Sequence, residues 1–418
     1  MAAYMLLSPV AALADQALST VLYTFGYDAV GNVVSRTNGN GDTILYTYDT
    51  VNRVTRIDYP DDTFVAYEYD QNGNRTRMED WTGVTTYEYD HLDRMTRVHN
   101  PGNKSVGYEY DSRNRVTRLI YPDGSNVDYT YTNDDLIETV TDSAGTTTYA
   151  YDDARQVAQR TLANGVVTSH GYDPDGRLTN LVHRKSGDQL LLGFAYTLDA
   201  VGNRTRMDRI SPAGTNTTLY GYDKLYRLTH VAYPEGRAVE YEYDGAGNRT
   251  LMVEALPTDE TNVTAYVYDQ ANQLVTSSLD YFDAAGGVQS NVTTHFEFDD
   301  AGRLVSQSNQ VSSFSFEYDY EDRLVAWEHG TSTRSYTYNG NGVRVAEGID
   351  GVVHTIVQDV VAPHERVLEA SDALNGEGAY TRVGGSPMAF RSADGDVFFL
   401  TDALGSVVAE VDENQELR

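Results

Sequence analysis

The sequence predicts an all-β fold built of repeated antiparallel β-hairpins that join into one long curved or spiralling sheet. Three observations predict it. A tyrosine-aspartate or phenylalanine-aspartate pair recurs along most of the chain about every 21 residues, a period that belongs to repeat architectures. Almost every pair carries a second aromatic two positions earlier, as in Tyr67/Tyr69-Asp70, Tyr108/Tyr110-Asp111, Tyr241/Tyr243-Asp244 and Phe316/Tyr318-Asp319. No segment of useful length shows a helical period, and turn signals punctuate the chain throughout.

Each unit follows from its letters. Aromatics at i and i+2 share one face of a strand, and the residue between them is usually polar: Glu68, Glu88, Glu109, Thr130, Glu242, Glu297. The Asp then opens a turn, because its carboxylate can accept hydrogen bonds from the amides just ahead. Gly or Asn follows where a left-handed conformation is expected, at Gly31-Asn32, Gly73-Asn74, Gly176, Gly247-Asn248 and Gly302. A second short strand rich in Val, Leu, Ile and Thr comes next, for example Arg115-Val116-Thr117-Arg118-Leu119-Ile120. A different turn then returns the chain, at Tyr59-Pro60-Asp61, Tyr121-Pro122-Asp123-Gly124, Asn164-Gly165 and Tyr233-Pro234-Glu235-Gly236. Gly124, Gly165 and Gly236 are expected at positive φ. One repeat is therefore one hairpin, and successive hairpins extend a meander.

In chain order, residues 1–22 form a leader or N-terminal cap. Ala2 to Ala14 is uncharged and apolar and closes with Ala12-Leu13-Ala14 ahead of Asp15, like the end of a secretory signal, although a basic opening is missing and the stretch is too short to span a membrane. Residues 23–345 carry the hairpins. From Tyr27 to Tyr172 the grid is even, whereas later steps are longer. The extra residues, at His183 to Gln189, Asp208 to Thr218, Glu254 to Thr264 and Ser277 to Asn291, are expected in protruding turns that include Gly286 and Gly287. In residues 346–418 the motif decays, although Val352-Val353 and Val397-Phe398-Phe399-Leu400 still read as strands.

Composition narrows the function. Tyr outnumbers Phe 33 to 11, which suits an aromatic face that is partly wetted. A formal net charge of −31 argues against nucleic acid and anionic membrane surfaces and favours solubility or a cationic partner. Zero cysteine excludes disulfides and thiolate metal sites without fixing the compartment. The nine His never pair at a metal-ligand spacing, and no phosphate loop or nucleophile elbow occurs. Asp173-Pro174-Asp175-Gly176 has the letters of a catalytic or calcium motif but occupies the turn slot of every other repeat. Asp61-Asp62 and Asp134-Asp135 are turn residues on the same reasoning. No catalytic, cofactor-binding or metal-binding residue is assigned, and no cofactor is expected.

The recurring Tyr-Asp-x-x-Gly/Asn-Asn/Arg pattern resembles the YD repeats of the Rhs family, of bacterial insecticidal toxin-complex proteins and of the teneurin shell, from residue 23 to about 345. Phe398-Phe399-Leu400-Thr401-Asp402-Ala403-Leu404-Gly405-Ser406-Val407 resembles the start of the Rhs-associated core. The resemblance implies a hollow shell around a C-terminal, often toxic polypeptide, released in many members by an aspartyl self-cleavage site with paired Asp-Pro-x-Gly motifs. Here Asp173 has no mate, so neither protease nor cargo is expected in this chain. About 15 hairpins, or some 30 strands spaced about 4.8 Å apart, would bend in one turn into a ring roughly 45 Å across, open at both ends and with unpaired edges. The reading is a non-enzymatic shell or scaffold segment, secreted or at the cell surface. Its partners would be a polypeptide cargo or a shell-completing protein, with no nucleic acid and no membrane insertion. The alternative is a surface module that binds carbohydrate or protein through exposed tyrosines.

Overall fold

The computed structural model describes residues 23–361, 366–372, 376–383, 386–392, 395–404 and 406–417. The leader or cap expected at 1–22, and Gly405 of the Leu-Gly-Ser turn, lie outside them. The described residues form 36 strands, from Thr24–Tyr27 to Val407–Val411, each paired antiparallel with its neighbours in sequence. Among the described residues the one helical turn is the 3-10 turn Pro101–Asn103.

Turn chemistry closes each hairpin locally. At the tyrosine-aspartate end, Asp70 N donates to Asn74 O at 2.9 Å and Gly73 N to Asp70 O at 3.2 Å, with Gly73 at φ 96°. This is a type I turn followed by one left-handed residue. The opposite end was expected to use a different turn, yet the same closure occurs there: Tyr121 N donates to Ser125 O at 2.9 Å and Gly124 N to Tyr121 O at 3.0 Å. Gly124, Gly165 and Gly236 lie at φ 88°, 86° and 91°. The strip thus has two rims of turns, the Asp rim and the return rim.

The longer repeats differ from expectation. Their extra residues lengthen the arms of the hairpins instead of looping out, as in Leu190–Leu198, Gly214–Tyr222, Leu274–Phe282 and Val288–Phe298. Pairing runs out to Phe282↔Val288, and a tight turn with Gly286 at φ 82° closes it. Continuing the ladder satisfies backbone groups that a loop would leave to solvent. His183 accordingly lies within the strand Leu178–Arg184 and is fully buried.

A repeated irregularity bends the strip. In hairpin after hairpin the register slips at the tyrosine before Asp, between Glu68 and Tyr69, Glu88 and Tyr89, Ala150 and Tyr151, and Glu242 and Tyr243. A bulge sharpens local twist and bends its strand, so one bulge per hairpin on the same rim curls the whole sheet. Residues about 260 apart consequently meet: Asn40 bonds Asp299 and Ala301, Tyr59 bonds Glu321, and Asp80 bonds Gly340. Closure thus comes after roughly 23 strands, sooner than in a flat-strip estimate with 4.8 Å spacing.

The curl also tightens. The separation between contacting residues falls from 285 at Arg36–Glu321 to 251 at Tyr108–Asp359, 239 at Tyr149–Met388 and 207 at Tyr196–Ala403. The second circuit is therefore shorter than the first and folds against it, so the end it reaches is covered where an open ring was expected. The strand Val352–Asp359 changes partner midway: Val352–Thr355 pair with the preceding strand and Ile356–Asp359 with Arg366–Asp372. Beyond that point its side chains turn inward, and Ile356, Val357, Gln358 and Asp359 are all buried.

Burial identifies the inner face. Val65, Tyr67 and Tyr69 share one side of their strand, with Val65 and Tyr67 buried, while Glu68 on the other side is exposed. The buried row continues through Met78, Val98, Val106, Tyr108, Leu119 and Val140, and Val357, Leu368 and Met388 of the second circuit pack onto it. Further along, Ala389, Phe398, Leu400 and Val411 pack on Leu162, Val166 and Leu191.

Candidate functional site

The tyrosine-aspartate motif proves to be a hydrogen-bond lattice that ties each hairpin to the next. Asp90 Oδ1 accepts from Leu92 N at 2.9 Å and Arg94 N at 3.1 Å, and Oδ2 accepts from Arg94 Nε at 2.7 Å. Arg94 Nη1 then reaches forward to Asp111 O at 2.9 Å, and its guanidinium sits 4.8 Å from the Tyr110 ring. The Arg94 hydrogen bond, helped by the two amides, lowers the Asp90 carboxyl to about 2. The same set recurs around Asp49, Asp223 and Asp299, with Arg53, Arg227 and Arg303 in the place of Arg94.

The tyrosine hydroxyl has its own task. Pairing between successive hairpins stops short of the Asp rim; Arg97–Asn100 pair with Lys104–Gly107 and no further. The Met95 carbonyl beyond that ladder accepts from Tyr110 Oη at 2.7 Å. Tyr48, Tyr69, Tyr131 and Tyr243 likewise donate to Val33, Val54, Val116 and Leu228 carbonyls. Phenylalanine could not do this, which explains the Tyr excess at this position.

Where the circuits meet, the Asp-rim turns of the second insert against the return rim of the first. Tyr320 stacks on Tyr59 with ring centroids 6.2 Å apart, and Glu321 pairs with Arg36 at 2.8 Å. Gly340 N donates to Asp80 Oδ2 at 2.6 Å and Gly340 O accepts from Tyr67 Oη at 3.0 Å; a Cβ on Gly340 would lie 2.6 Å from Val65. Beside this seam lies a cavity of about 280 Å³ lined by Trp81, Asn100, Lys104, Asn339, Gln358 and neighbouring residues.

One polar patch interrupts the apolar inner row. Arg160 stands where Val98, Leu119 and Val140 stand in earlier repeats, pairs across to Thr168, and is buried. Thr168 Oγ1 donates to His183 Nδ1 at 2.9 Å and His183 Nε2 donates to Thr401 O at 3.1 Å. Burial holds His183 at about 4; burial and then the Arg160 charge do the same for His170.

The residues singled out in the sequence take structural places. Asp173 Oδ1 accepts from Asp175 N and Arg177 N at 3.0 and 2.9 Å and Oδ2 from Arg177 Nε at 2.7 Å, so its carboxylate is engaged in the repeat turn. Asp61 and Asp135 also lie in turns, Asp61 capping Thr63 N and Asp135 pairing with Arg113 and Arg115. No group of three His, Cys, Asp or Glu is placed to hold a metal among the described residues. The seam and the Arg160 patch escaped the sequence reading. Arg160 had a visible signal, a charge in a column that is apolar from Ile57 through Met78, Val98 and Leu119 to Val140; the seam had none, since its partners lie hundreds of residues apart.

A closed curl of tyrosine-aspartate hairpins with its tyrosines inward defines a β-hairpin repeat shell. The Teneurin YD-shell family model matches residues 188–344, and the RHS Repeat model matches residues 27–63, 69–105 and 89–126. The chain belongs to this YD/Rhs repeat family. It is similar to the tRNA3(Ser)-specific nuclease WapA of Bacillus spizizenii, 25% identical over 297 residues, which is 68% of this chain and 12% of the relative. It is also similar to the double-stranded DNA deaminase toxin A of Burkholderia cenocepacia, 22% identical over 306 residues, 68% of this chain and 20% of that one. The chain therefore spans a fifth or less of the length of these relatives. Among solved structures, TcdB2-TccC3 without its hypervariable C-terminal region shares the fold at a TM-score of 0.64 and 14% identity, over 94% of this chain and 23% of that one.

Proposed function

We propose that this shell-like Rhs scaffold encloses or presents a toxin-type polypeptide that the chain itself does not encode. The observation that carries the reading is the inward tyrosine face. The first half of that face is covered by the second circuit, whereas Tyr220, Tyr241, Tyr266, Phe296 and Phe316 on the same face stay half-buried. They form a wall of apolar rings with polar tips, suited to holding a chain that has not packed its own core. The relatives named as a tRNA nuclease and a DNA deaminase toxin match this chain over a small share of their length, and a charge of −31 suits it poorly for holding nucleic acid. In this reading their chemistry lies in the unmatched parts, this chain is not an enzyme, and its parent acts outside the cell or on its surface. Tyrosines on the inner side also leave the outer face to Glu and Thr, which favours enclosure over carbohydrate binding at an exposed aromatic surface.

The test is protease protection. A short unstructured polypeptide carrying a protease site, fused after Arg418, should be cut far more slowly than the same polypeptide fused before Met1; equal rates would overturn enclosure. The non-enzymatic reading has a separate test. Incubation between about pH 4 and 8, the range in which a carboxylate acid–base pair works, should leave one intact band. A specific cut that disappears in Asp173→Asn would overturn it.

A further inference from the structure

The two rims of this chain fit one another, and only part of each is used. Inside the molecule, Asp-rim turns of the second circuit dock on return-rim turns of the first in ascending order: Asp299 on Asn38–Asp42, Asp319 on Tyr59–Thr63, Asn339 on Asp80–Gly83. The residue two after the opening Asp or Asn makes one of the contacts each time. Ala301 is only 7% exposed and its N donates to Asn40 Oδ1 at 3.0 Å, Glu321 reaches Arg36 and Tyr59, and Asn341 Nδ2 donates to Tyr87 Oη at 3.0 Å. Gly39 permits the approach, since a Cβ there would lie 2.0 Å from Asp300 O.

On the first circuit the same position faces solvent, and in several turns it holds a large apolar residue. Val30 is 72% exposed, Val51 63%, Leu92 55%, Val201 58% and Leu225 69%. Each is two residues after the Asp of its turn; Arg113, Asp134, Ala154 and Asp175 separate Leu92 from Val201, whereas Val30, Val51 and Leu92, with Asn72 between the last two, group on consecutive turns of one rim. Scattered surface hydrophobics need no explanation, but three within four consecutive turns, at the docking position of a repeated interface, do. On the return rim the tips of the turns Ser211–Gly214, Tyr233–Gly236, Leu256–Asp259 and Asp283–Gly287 stay exposed and receive nothing from the second circuit among the described residues. Tyr233-Pro234 there repeats the Tyr59-Pro60 that receives Tyr320.

We infer that the four consecutive Asp-rim turns bearing Val30, Val51, Asn72 and Leu92 dock on the consecutive return-rim turns Ser211–Gly214, Tyr233–Gly236, Leu256–Asp259 and Asp283–Gly287 of a second copy of this chain, continuing the seam between molecules. The contact is head-to-tail, so it extends into a stack unless the rotation closes a ring. Each copy carries a formal charge of −31, so repulsion opposes assembly and screening strengthens it. The inference stands whether or not a polypeptide is enclosed.

Sedimentation of the full chain should show association that grows with protein concentration and with added salt. Val30→Asp/Val51→Asp/Leu92→Asp, at exposed positions, should leave the circular dichroism unchanged and weaken association by about tenfold or more. Because the chain has no cysteine, register can be read directly. By analogy with Ala301 on Asn40, Val51 meets Glu235, so a mixture of Val51→Cys and Glu235→Cys chains should form a disulfide-linked dimer under mild oxidation, and neither alone should do so as fast. A chain monomeric at its highest soluble concentration in high salt, or dimers that form equally in the triple Asp variant, would overturn the proposal and leave the rim to a different hairpin protein.

Discussion

At the scale of single residues, the repeat is held by groups that sit where ordinary strand pairing ends. Tyr110 illustrates it: its hydroxyl serves the Met95 carbonyl left over past the ladder. Tyr110→Phe should destabilise the protein by about 1–2 kcal/mol in urea melts, because a partly buried carbonyl loses its donor while the ring is kept. No measurable change would show that water replaces the hydroxyl freely. The residue before Arg227 makes a contrasting case. Tyr226 sits at φ 62°, where most sibling turns place Gly, Asn or Asp, and its ring is exposed. Tyr226→Gly should stabilise by roughly 0.5–1 kcal/mol, since the left-handed conformation is costly for a bulky residue and free for glycine. Loss of stability in the melt would mean that the ring makes a contact worth more than the strain.

At the scale of the hairpin, what could be read from sequence is what is local. The Asp that caps its own turn, the left-handed Gly three residues on, and the paired aromatics each declare themselves within five or six letters. The long arms at Leu274–Phe282 and Val288–Phe298 misled because Ser, Thr, Asn and Gln look like loop letters. On strands with much of their surface in water, Thr and Ser suit a ladder equally well. Gly286 therefore changes meaning: as the left-handed residue of a regular turn, it should lose stability on replacement by Val as Gly236 does, by about 1–3 kcal/mol. A Gly286→Val variant much milder than Gly236→Val would restore the view of a loose insertion. The curl was invisible because its cause, a one-residue slip at each Asp-rim tyrosine, is a property of pairing and not of any letter. The Arg160 patch was half visible, a charge in a column apolar from Ile57 to Val140, while Thr168 opposite it and the His183 that Thr168 bonds lie on the next hairpin.

For the whole molecule, buried titratable groups set a window of stability. His183 and His170 are lowered to about 4 in the fold, so the unfolded chain binds protons first. Their contribution is complete above about pH 6.5 and declines as pH falls toward 4. The Asp-rim carboxylates follow: Asp90, at about 2, contributes fully above about pH 4 and loses that contribution as pH falls through its folded value. In alkali the sign reverses. Burial raises Tyr67 to about 12 and lifts Tyr59, Tyr108 and Tyr149, so stability holds below about pH 10 and is lost as pH rises through the folded values. Urea midpoints should thus be flat between about pH 7 and 9.5 and fall on both sides, and a midpoint that keeps rising below pH 6 would contradict the buried state of the two His. The long span between seam partners has a consequence in time. A ribosome adding roughly 5–20 residues per second needs some tens of seconds to go from Asn40 to its partner Asp299. Hairpins can form one by one as they emerge, but the inner tyrosines must wait in water until the circuit closes. A nascent chain stalled before Asp299 should therefore be the species that chaperones hold and proteases cut, and one extended through Ala301 the first to resist them.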